Sequence, residues 1–338
     1  MVFLKKILKN ITFYLCLIIF LFGIGAGFFV SSYQKNTQSQ QASNASDNSE
    51  FHSGGYRLIN PLYECSTGQS YGIVKLQDLE KNISNYITQV TVNNSVTRVA
   101  VIFRDLNTGP WFGINEHDSF APSSLLKTPV MMAYYQEAEV DPSILSKKIA
   151  YISDPYPVIK QDYATETSLQ KGNTYTIEQL IEHMIINSDN AALGLLEANI
   201  EESKIDKITL DLGITTATDA TPTDFMDVSE YSTLFRVLYY STYLNRGYSE
   251  KALSLLAQAE FKQGLVAQLP KNITVAHKFG ERNLPDGTHQ LHDCGIVYYP
   301  KRPYLLCIMT KGSNYNDLPT IIQQISGEVY KEFSAIYH

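Results

Sequence analysis

Three short motifs in this chain carry side chains that together suit acyl transfer through a serine. Ser124-Leu125-Leu126-Lys127 places an amine three residues after a hydroxyl, on the same face of a helix. Ser188-Asp189-Asn190 adds a second hydroxyl and a carboxamide, and His277-Lys278-Phe279-Gly280 adds a cation beside a glycine. A serine hydroxyl is a weak nucleophile until a base takes its proton, which a buried lysine amine can do. The ordered set predicts an enzyme that opens amide-like carbonyls through a covalent ester.

The sequence around each motif distinguishes it from other occurrences of the same pattern in the chain. Ser-x-x-Lys also begins at Ser32 and Ser168, and Ser-Asp-Asn also begins at Ser46. Ser32 and Ser46 lie in a polar stretch that cannot build a core, and Ser168 precedes no apolar helix. Ser124 instead opens an apolar run that is typical of a buried helix. Taken singly, the three motifs are also consistent with a helix cap, a turn and a surface lysine.

The chemistry of each group predicts its role. Lys127 is the expected base for Ser124, and Ser188 is expected to pass a proton to the leaving nitrogen. Lys278 is expected to polarise Ser188 and to hold a substrate carboxylate. Asn190 is expected either to bond an acylamino side chain or to orient Lys127.

Backbone groups complete the predicted site. A tetrahedral oxyanion needs two N–H donors, and we expect those of Ser124 and Glu281 to serve. Gly280 is expected to leave room for a substrate backbone along its strand. Pro129 lies deep in the helix predicted from Ser124 and is expected to remove one helical hydrogen bond.

Hydrophobic periodicity predicts the elements that position these residues. Helical spacing marks segments 76–90, 177–186, 191–198, 229–243 and 318–337, the second opened by a capping box at Thr176. Strands are predicted at 98–106, 111–115, 273–280, 290–299 and 303–311. Strands at both ends with helices between them predict an α+β domain over residues 56–338. Its antiparallel sheet is built from both ends, and an all-helical lobe is inserted.

The segment before this domain predicts a membrane anchor. Residues 11–30 form an apolar run without charge, long enough to span a bilayer as a helix. Three lysines precede the run, so residues 1–10 are expected to stay cytoplasmic and the domain to lie on the other side of the membrane. A cleaved signal peptide is the alternative, but no Ala-x-Ala-like site follows. Residues 31–55 are polar and predict a flexible linker.

Charge and cysteine content limit the function classes. The net charge of −7 gives no basis for nucleic-acid binding. Cys294 and Cys307 fall opposite each other in the predicted hairpin, where they form a cross-strand disulfide or pack as free thiols. Cys65 is a third candidate partner. We expect no cofactor and a monomer, and the spacing of His277, His289 and His292 does not suggest a metal site.

Together, the motifs resemble those of the serine β-lactamase and penicillin-binding protein superfamily, most closely the class A β-lactamases. The resemblance covers residues 76–338 and rests on the ordered Ser-x-x-Lys, Ser-Asp-Asn and Lys-x-Gly motifs. It implies that Ser124 is acylated, Lys127 is its base, Ser188 shuttles protons and Lys278 anchors the substrate carboxylate.

The chain departs from this pattern in two places. Phe279 replaces the usual hydroxyl residue between lysine and glycine, which helps to bind the carboxylate. The glutamate that aims the deacylating water in class A enzymes has no counterpart between Asn190 and Lys278. The short stretch 213–229 offers Asp219, Asp224 and Asp227 instead, and Glu230 is a poor substitute. The resemblance therefore implies a slow or altered deacylation.

Three functions remain open at this level. The first is a membrane-anchored β-lactamase-like hydrolase acting on β-lactams. The second is a D,D-peptidase acting on peptidoglycan stem peptides, and the third is a catalytically silent module that binds peptidoglycan or β-lactams.

Overall fold

The computed structural model describes most of the predicted domain, in the ranges 56–60, 70–92, 95–107, 109–156, 162–163, 168–219, 223–284 and 286–337. The predicted anchor, the predicted linker and Cys65 lie outside these ranges. Within the described ranges, no helix combines the length and apolarity needed to cross a membrane.

A five-stranded antiparallel sheet joins the two ends of the domain. Its strands are β1 (Val96–Asp105), β2 (Trp111–Ile114), β5 (Val275–Asn283), β6 (His289–Val297) and β7 (Tyr304–Gly312). Their spatial order is β2-β1-β7-β6-β5. The first strand of the chain therefore pairs with the last, with Val101 opposite Ile308. The prediction of a sheet built from both ends of the domain is confirmed.

Helices cover both faces of this sheet. The helices of the described residues are α1 (Ser70–Val92), α2 (Lys127–Val140), α3 (Ile177–Ile186), α4 (Asn190–Glu197), α5 (Glu202–Asp211), α6 (Val228–Tyr239), α7 (Arg246–Leu256) and α8 (Asp317–Tyr337). Two 3₁₀ turns, Ser123–Leu126 and Pro142–Ser146, flank α2. A small two-stranded sheet, β3 (Lys148–Ala150) and β4 (Thr174–Thr176), precedes α3. The prediction of an all-helical inserted lobe is therefore wrong, because these two segments pair as antiparallel strands.

The alternation of side chains along β1 shows how the two layers meet the sheet. Val99, Val101 and Phe103 pack in one apolar cluster with α1 and α8. Ala100 and Ile102 point to the opposite face and pack in a second cluster with helices of the lobe. Because both faces are covered, the middle of β1 and most of β7 are apolar and buried.

The predicted helices and strands are found close to their expected bounds. Thr176 and Gln179 form the predicted capping box at the start of α3. The helix predicted over 229–243 ends earlier, at Tyr239. Ser241 follows in a left-handed conformation with φ of 50°, and a left-handed residue commonly terminates a helix.

A disulfide links the last two strands of the sheet. Cys294 and Cys307 are paired across β6 and β7 and are joined by a disulfide. The predicted register is therefore confirmed, and the cross-strand bridge is the arrangement found. Both residues are fully buried against the helical lobe.

Replacing both cysteines by alanine is expected to lower the free energy of unfolding by about 2–3 kcal/mol, because the link restricts the unfolded chain. Urea denaturation of the oxidised domain measures this loss. The control is wild-type protein in reductant, whose stability should approach that of the double variant. Reductant should not change the stability of the double variant. Equal stability of oxidised wild type and double variant would contradict the assignment.

Candidate active site

The predicted nucleophile lies in the turn Ser123–Leu126, between β2 and α2. This is a 3₁₀ turn and not the first turn of an α-helix, because α2 begins at Lys127. Pro129 is consequently the third residue of α2, where backbone N–H groups have no acceptor within the helix. The expectation that Pro129 removes a hydrogen bond from the helix is therefore wrong.

Left-handed backbone conformations occur at both motifs that supply a hydroxyl. Ser123, immediately before the nucleophile, has φ of 51°, and Ser188 has φ of 55°. Residues with a side chain adopt this region rarely and at an energetic cost. Ser124 itself is 8% exposed, whereas Leu125 behind it is fully buried. The surrounding packing thus holds the backbones of Ser123, next to the nucleophile, and of Ser188 in defined conformations, as is typical of functional sites.

The amine of Lys127 is buried and contacts four oxygen atoms. Nζ donates to the carbonyl oxygen of Ser188 at 2.5 Å and to Oδ1 of Asn190 at 2.7 Å. It also lies 3.0 Å from Ser124 Oγ and 3.1 Å from Ser188 Oγ. Carbonyl oxygens only accept hydrogen bonds, so two N–H groups point at them. An uncharged amine then has its lone pair free to accept a hydroxyl proton.

Burial lowers the pKa of Lys127 to about 7, because the ammonium loses its hydration in the interior. The negative charges of Asp189, Glu281 and Glu197 raise this pKa and offset only part of the effect. A substantial fraction of the amine is therefore uncharged near neutral pH, as a base requires.

The junction between α3 and α4 presents Ser188 and Asn190 to this amine. Asp189 caps α4 by accepting hydrogen bonds from the N–H groups of Ala191 and Ala192, at 2.7 and 3.0 Å. Asn190 is the first residue of α4 and faces Lys127. Of its two predicted roles, this contact corresponds to the orientation of Lys127.

Lys278 approaches Ser188 from β5. Its Nζ donates to Ser188 Oγ and to the carbonyl oxygen of Phe279, both at 2.9 Å. Nζ also lies 4.4 Å from the centre of the Phe279 ring, and the side chain is fully buried. Burial lowers the pKa of Lys278, and the nearby charge of Lys127 lowers it further. The contact suits the polarisation of Ser188, and the anchoring of a substrate carboxylate stays a prediction.

Gly280 allows β5 to contact the nucleophile turn. A Cβ atom at this position would lie 2.7 Å from the carbonyl oxygen of Pro122 and 3.0 Å from Cγ of Leu125. The glycine is therefore required by the close approach of the turn. The predicted reason was different, namely room for a substrate backbone along the strand. This contact places the backbones of Ser124 and Glu281 on adjoining segments, and their expected role as oxyanion donors stays a prediction.

The side chain of Glu281 is buried among aromatic residues. Its carboxylate accepts a hydrogen bond from the hydroxyl of Tyr315 and a longer one, at 3.4 Å, from the N–H of Tyr163. Burial raises the pKa of the Glu281 carboxyl. The sequence predicted a role only for the backbone N–H group of Glu281. An acidic residue directly after Gly280 was the available signal for its side chain.

A buried contact between His277 and Asp293, next to Lys278, was also not predicted. His277 Nδ1 lies 2.8 Å from Asp293 Oδ1, and the N–H of Leu265 donates to Asp293 Oδ2 at 2.8 Å. Asp293 raises the pKa of Lys278 and so opposes the effect of burial. An aspartate inside the buried strand β6 was the signal for this pair.

The other two histidines considered for metal binding also have partners. His292 Nε2 lies 3.0 Å from the carbonyl oxygen of Ala121, and His289 Nδ1 lies 2.6 Å from Asn283 Oδ1. Across the ranges that the structure covers, no three His, Cys, Asp or Glu side chains are grouped as metal ligands.

Three of the four carboxylates considered for activating water have structural partners, and the fourth, Asp219, is exposed. Asp224 accepts from Gln290 at 2.8 Å and from Lys311 at 2.6 Å. Asp227 caps α6 through the N–H of Glu230. The carboxylate of Glu230 in turn binds Thr215. These contacts hold the segment between α5 and α6.

The Gly280→Ala variant is expected to slow the acylation of Ser124 between about tenfold and a hundredfold, because the new methyl group displaces the nucleophile turn. Labelling kinetics with a fluorescent β-lactam measure the loss. Gly247→Ala is the matched control, since its Cβ would meet only Asn245 Oδ1, at 3.4 Å. Unchanged labelling of Gly280→Ala would show that the contact does not position Ser124.

Comparison with known proteins gives the same fold. The chain is similar to a mutant of PBP-A solved as an acyl-enzyme complex with penicillin G, at 20% identity and a TM-score of 0.65, over 77% of this chain and 97% of that one. It is similar to the TLA-3 extended-spectrum beta-lactamase at 17% identity and a TM-score of 0.66, over 75% and 98% of the two chains. A class A beta-lactamase from Bacteroides cellulosilyticus DSM 14838 matches at 20% identity and a TM-score of 0.65, over 77% and 99%.

A family model identifies the sequence directly. The model of the beta-lactamase enzyme family matches residues 78–333, and no curated protein sequence matches the chain. The match includes all three motifs and every strand of the large sheet. The chain therefore belongs to the beta-lactamase enzyme family, within the superfamily of serine β-lactamases and penicillin-binding proteins.

Proposed function

We propose that the protein is a membrane-anchored serine hydrolase that forms an acyl-enzyme at Ser124 with β-lactams and hydrolyses it. The observation that carries this proposal is the position of the Lys127 amine, within hydrogen-bonding distance of both Ser124 Oγ and Ser188 Oγ. Such convergence is what acyl transfer needs, and it argues against a catalytically silent module.

The contacts support a sequence of proton transfers. The uncharged Lys127 amine takes the proton of Ser124, whose oxygen bonds to the carbonyl carbon of the substrate. The N–H groups of Ser124 and Glu281 stabilise the oxyanion. When the C–N bond breaks, Ser188 gives its proton to the leaving nitrogen and is reprotonated by Lys127. Lys278, bonded to Ser188 Oγ, stabilises the negative charge that develops there.

The contacts of the carboxylates considered for activating water favour a second candidate function. Asp224, Asp227 and Glu230 are engaged in structural contacts, and Asp219 is exposed, which makes all four poor candidates for activating a water molecule. Slow hydrolysis of the acyl-enzyme is the behaviour of a penicillin-binding protein. A D,D-peptidase acting on peptidoglycan stem peptides is therefore the alternative.

We place the catalytic domain on the outer side of a bacterial membrane, held by residues 11–30. The apolar run and the lysines before it support this proposal. The disulfide between Cys294 and Cys307 also supports it, because such links persist in oxidising compartments.

A fluorescent penicillin is expected to label the wild-type protein and not the Ser124→Ala variant. Intact-protein mass spectrometry after brief exposure gives the lifetime of the adduct, and nitrocefin turnover and release of D-alanine separate the two activities. A short-lived adduct with turnover supports a β-lactamase, and a long-lived adduct with D-alanine release supports the peptidase. Labelling that persists in Ser124→Ala would refute the assigned nucleophile.

The acylation rate is expected to rise about tenfold per pH unit below pH 7 and to level off above it, because only the uncharged amine of Lys127 accepts a proton. The lowered pKa of Lys127 places this rise near neutrality, well below the range of an exposed lysine. Stopped-flow acylation across the pH range measures it. Lys127→Arg is the control and should lose acylation at every pH. A pH-independent rate in the wild type would contradict the base assigned.

A further inference from the structure

Two side chains of β6 bind the backbone of Ala121, three residues before Ser124. Gln290 Oε1 accepts a hydrogen bond from the N–H of Ala121 at 2.9 Å. His292 Nε2 lies 3.0 Å from the carbonyl oxygen of the same residue. Both side chains are fully buried and Ala121 is buried with them, so water cannot replace either contact. One strand of the sheet thus fixes both polar groups of a single residue next to the nucleophile turn.

The neighbours of these side chains determine which atom faces Ala121. Asp224 Oδ1 accepts from Gln290 Nε2 at 2.8 Å, and a carboxylate does not donate, so the amide oxygen of Gln290 faces the N–H of Ala121. The N–H of Thr310 donates to His292 Nδ1 at 3.3 Å, so the ring proton lies on Nε2 and is donated to Ala121. Burial lowers the pKa of His292 to about 4, which keeps the ring uncharged at neutral pH.

The backbone between Ala121 and Ser124 has little freedom of its own. The ring of Pro122 fixes its φ, here −65°, and Ser123 has φ of 51°. The carbonyl oxygen of Pro122 accepts from the N–H of Leu125 at 3.0 Å, which closes the turn. The orientation of Ala121 therefore determines where the turn presents the hydroxyl and the N–H group of Ser124.

Other contacts keep the segment before the turn in place when one of these hydrogen bonds is removed. The N–H of Phe120 donates to the carbonyl oxygen of Met226 at 2.8 Å, and the N–H of Met226 donates back to Phe120 at 3.2 Å. The Phe120 ring packs edge-on against the His292 ring, with 5.4 Å between the ring centres. Loss of one hydrogen bond to Ala121 is therefore expected to displace the turn locally and to leave the sheet folded.

We propose that Gln290 and His292 are positioning residues for acylation, which act by fixing Ala121 and, through it, the hydroxyl of Ser124. Because both side chains are fully buried, they act through the turn and not by contact with the substrate. A displacement of about 1 Å between reacting atoms costs up to about a hundredfold in rate, so these two hydrogen bonds control the chemical step. The inference rests on the proposed function, because the step concerned is the acylation of Ser124.

Stopped-flow acylation by benzylpenicillin separates substrate binding from the chemical step. His292→Leu removes the donor to Ala121 and is expected to lower the acylation rate constant about tenfold, with a nearly unchanged dissociation constant of the non-covalent complex. His292→Gln places a donor at a similar distance from the backbone and should recover most of the rate. Gln290→Met removes the acceptor and should resemble His292→Leu. The double variant should lose less than the product of the two single losses, because both side chains act on one residue.

Ser326→Ala is the matched control. It removes a buried hydrogen bond of the same kind, from Ser326 Oγ to the carbonyl oxygen of Leu265 at 2.7 Å, between α8 and a segment away from the turn. Urea denaturation should show a lowered stability for this variant, and its acylation rate constant should equal that of the wild type.

The outcomes separate this inference from the proposed function. Wild-type acylation rate constants in both His292→Leu and Gln290→Met would refute the positioning role while Ser124 remains the nucleophile. An equal loss of rate in Ser326→Ala, or no recovery in His292→Gln, would also refute it. Should His292→Leu fail to fold, Gln290→Met decides. Wild-type protein that benzylpenicillin does not acylate would refute the proposed function and this inference with it.

Discussion

The site depends on an amine buried among uncharged oxygen atoms. Lys127 Nζ contacts hydroxyl and carbonyl oxygens of Ser124, Ser188 and Asn190, which cannot neutralise an ammonium as a carboxylate would. The proton is therefore held weakly, and the pKa of Lys127 falls to about 7. The same dry environment strengthens every hydrogen bond to the reacting groups. The rest of the fold serves to keep this amine buried and its three partners in place.

Two long-range contacts maintain that burial. The turn Ser123–Leu126 lies directly against β5, which Gly280 permits because it has no side chain. The α3–α4 junction brings Ser188 between Lys127 and Lys278, so that one hydroxyl contacts both amines. Since the turn, the junction and the strand come from distant parts of the chain, the site exists only when the lobe and the sheet are packed together.

The region around Lys278 distinguishes this chain from the pattern of its family. Phe279 stands where a hydroxyl residue is usual, and its ring lies against the lysine amine. On the same face of β5, Glu281 is buried with Tyr163 and Tyr315. The carboxylate of Asp293, in contact with His277, raises the pKa of Lys278 and so partly offsets the effect of burial. The amine of Lys278 thus contacts Ser188 and the Phe279 ring.

Local pattern in the sequence was sufficient for most elements. Periodicity predicted the outer helices and the strands of the large sheet, because apolar residues must share one face of an element to be buried. The cysteine spacing predicted that Cys294 and Cys307 fall opposite each other but left open whether they form a disulfide. The start of α2 after a 3₁₀ turn was not predictable in this way, since it depends on how Leu125 packs and how closely β5 approaches.

The amino-acid sequence by itself determined which nucleophile, amines and hydroxyls are available, and in what order the elements present them. Only the tertiary structure decided which of these groups meet, that Gly280 faces the Pro122 carbonyl, and that Glu281 turns its carboxylate toward Tyr163 and Tyr315. The physical reason is that proton affinity and close approach depend on the exclusion of water and on neighbours distant in the chain, which no local pattern encodes.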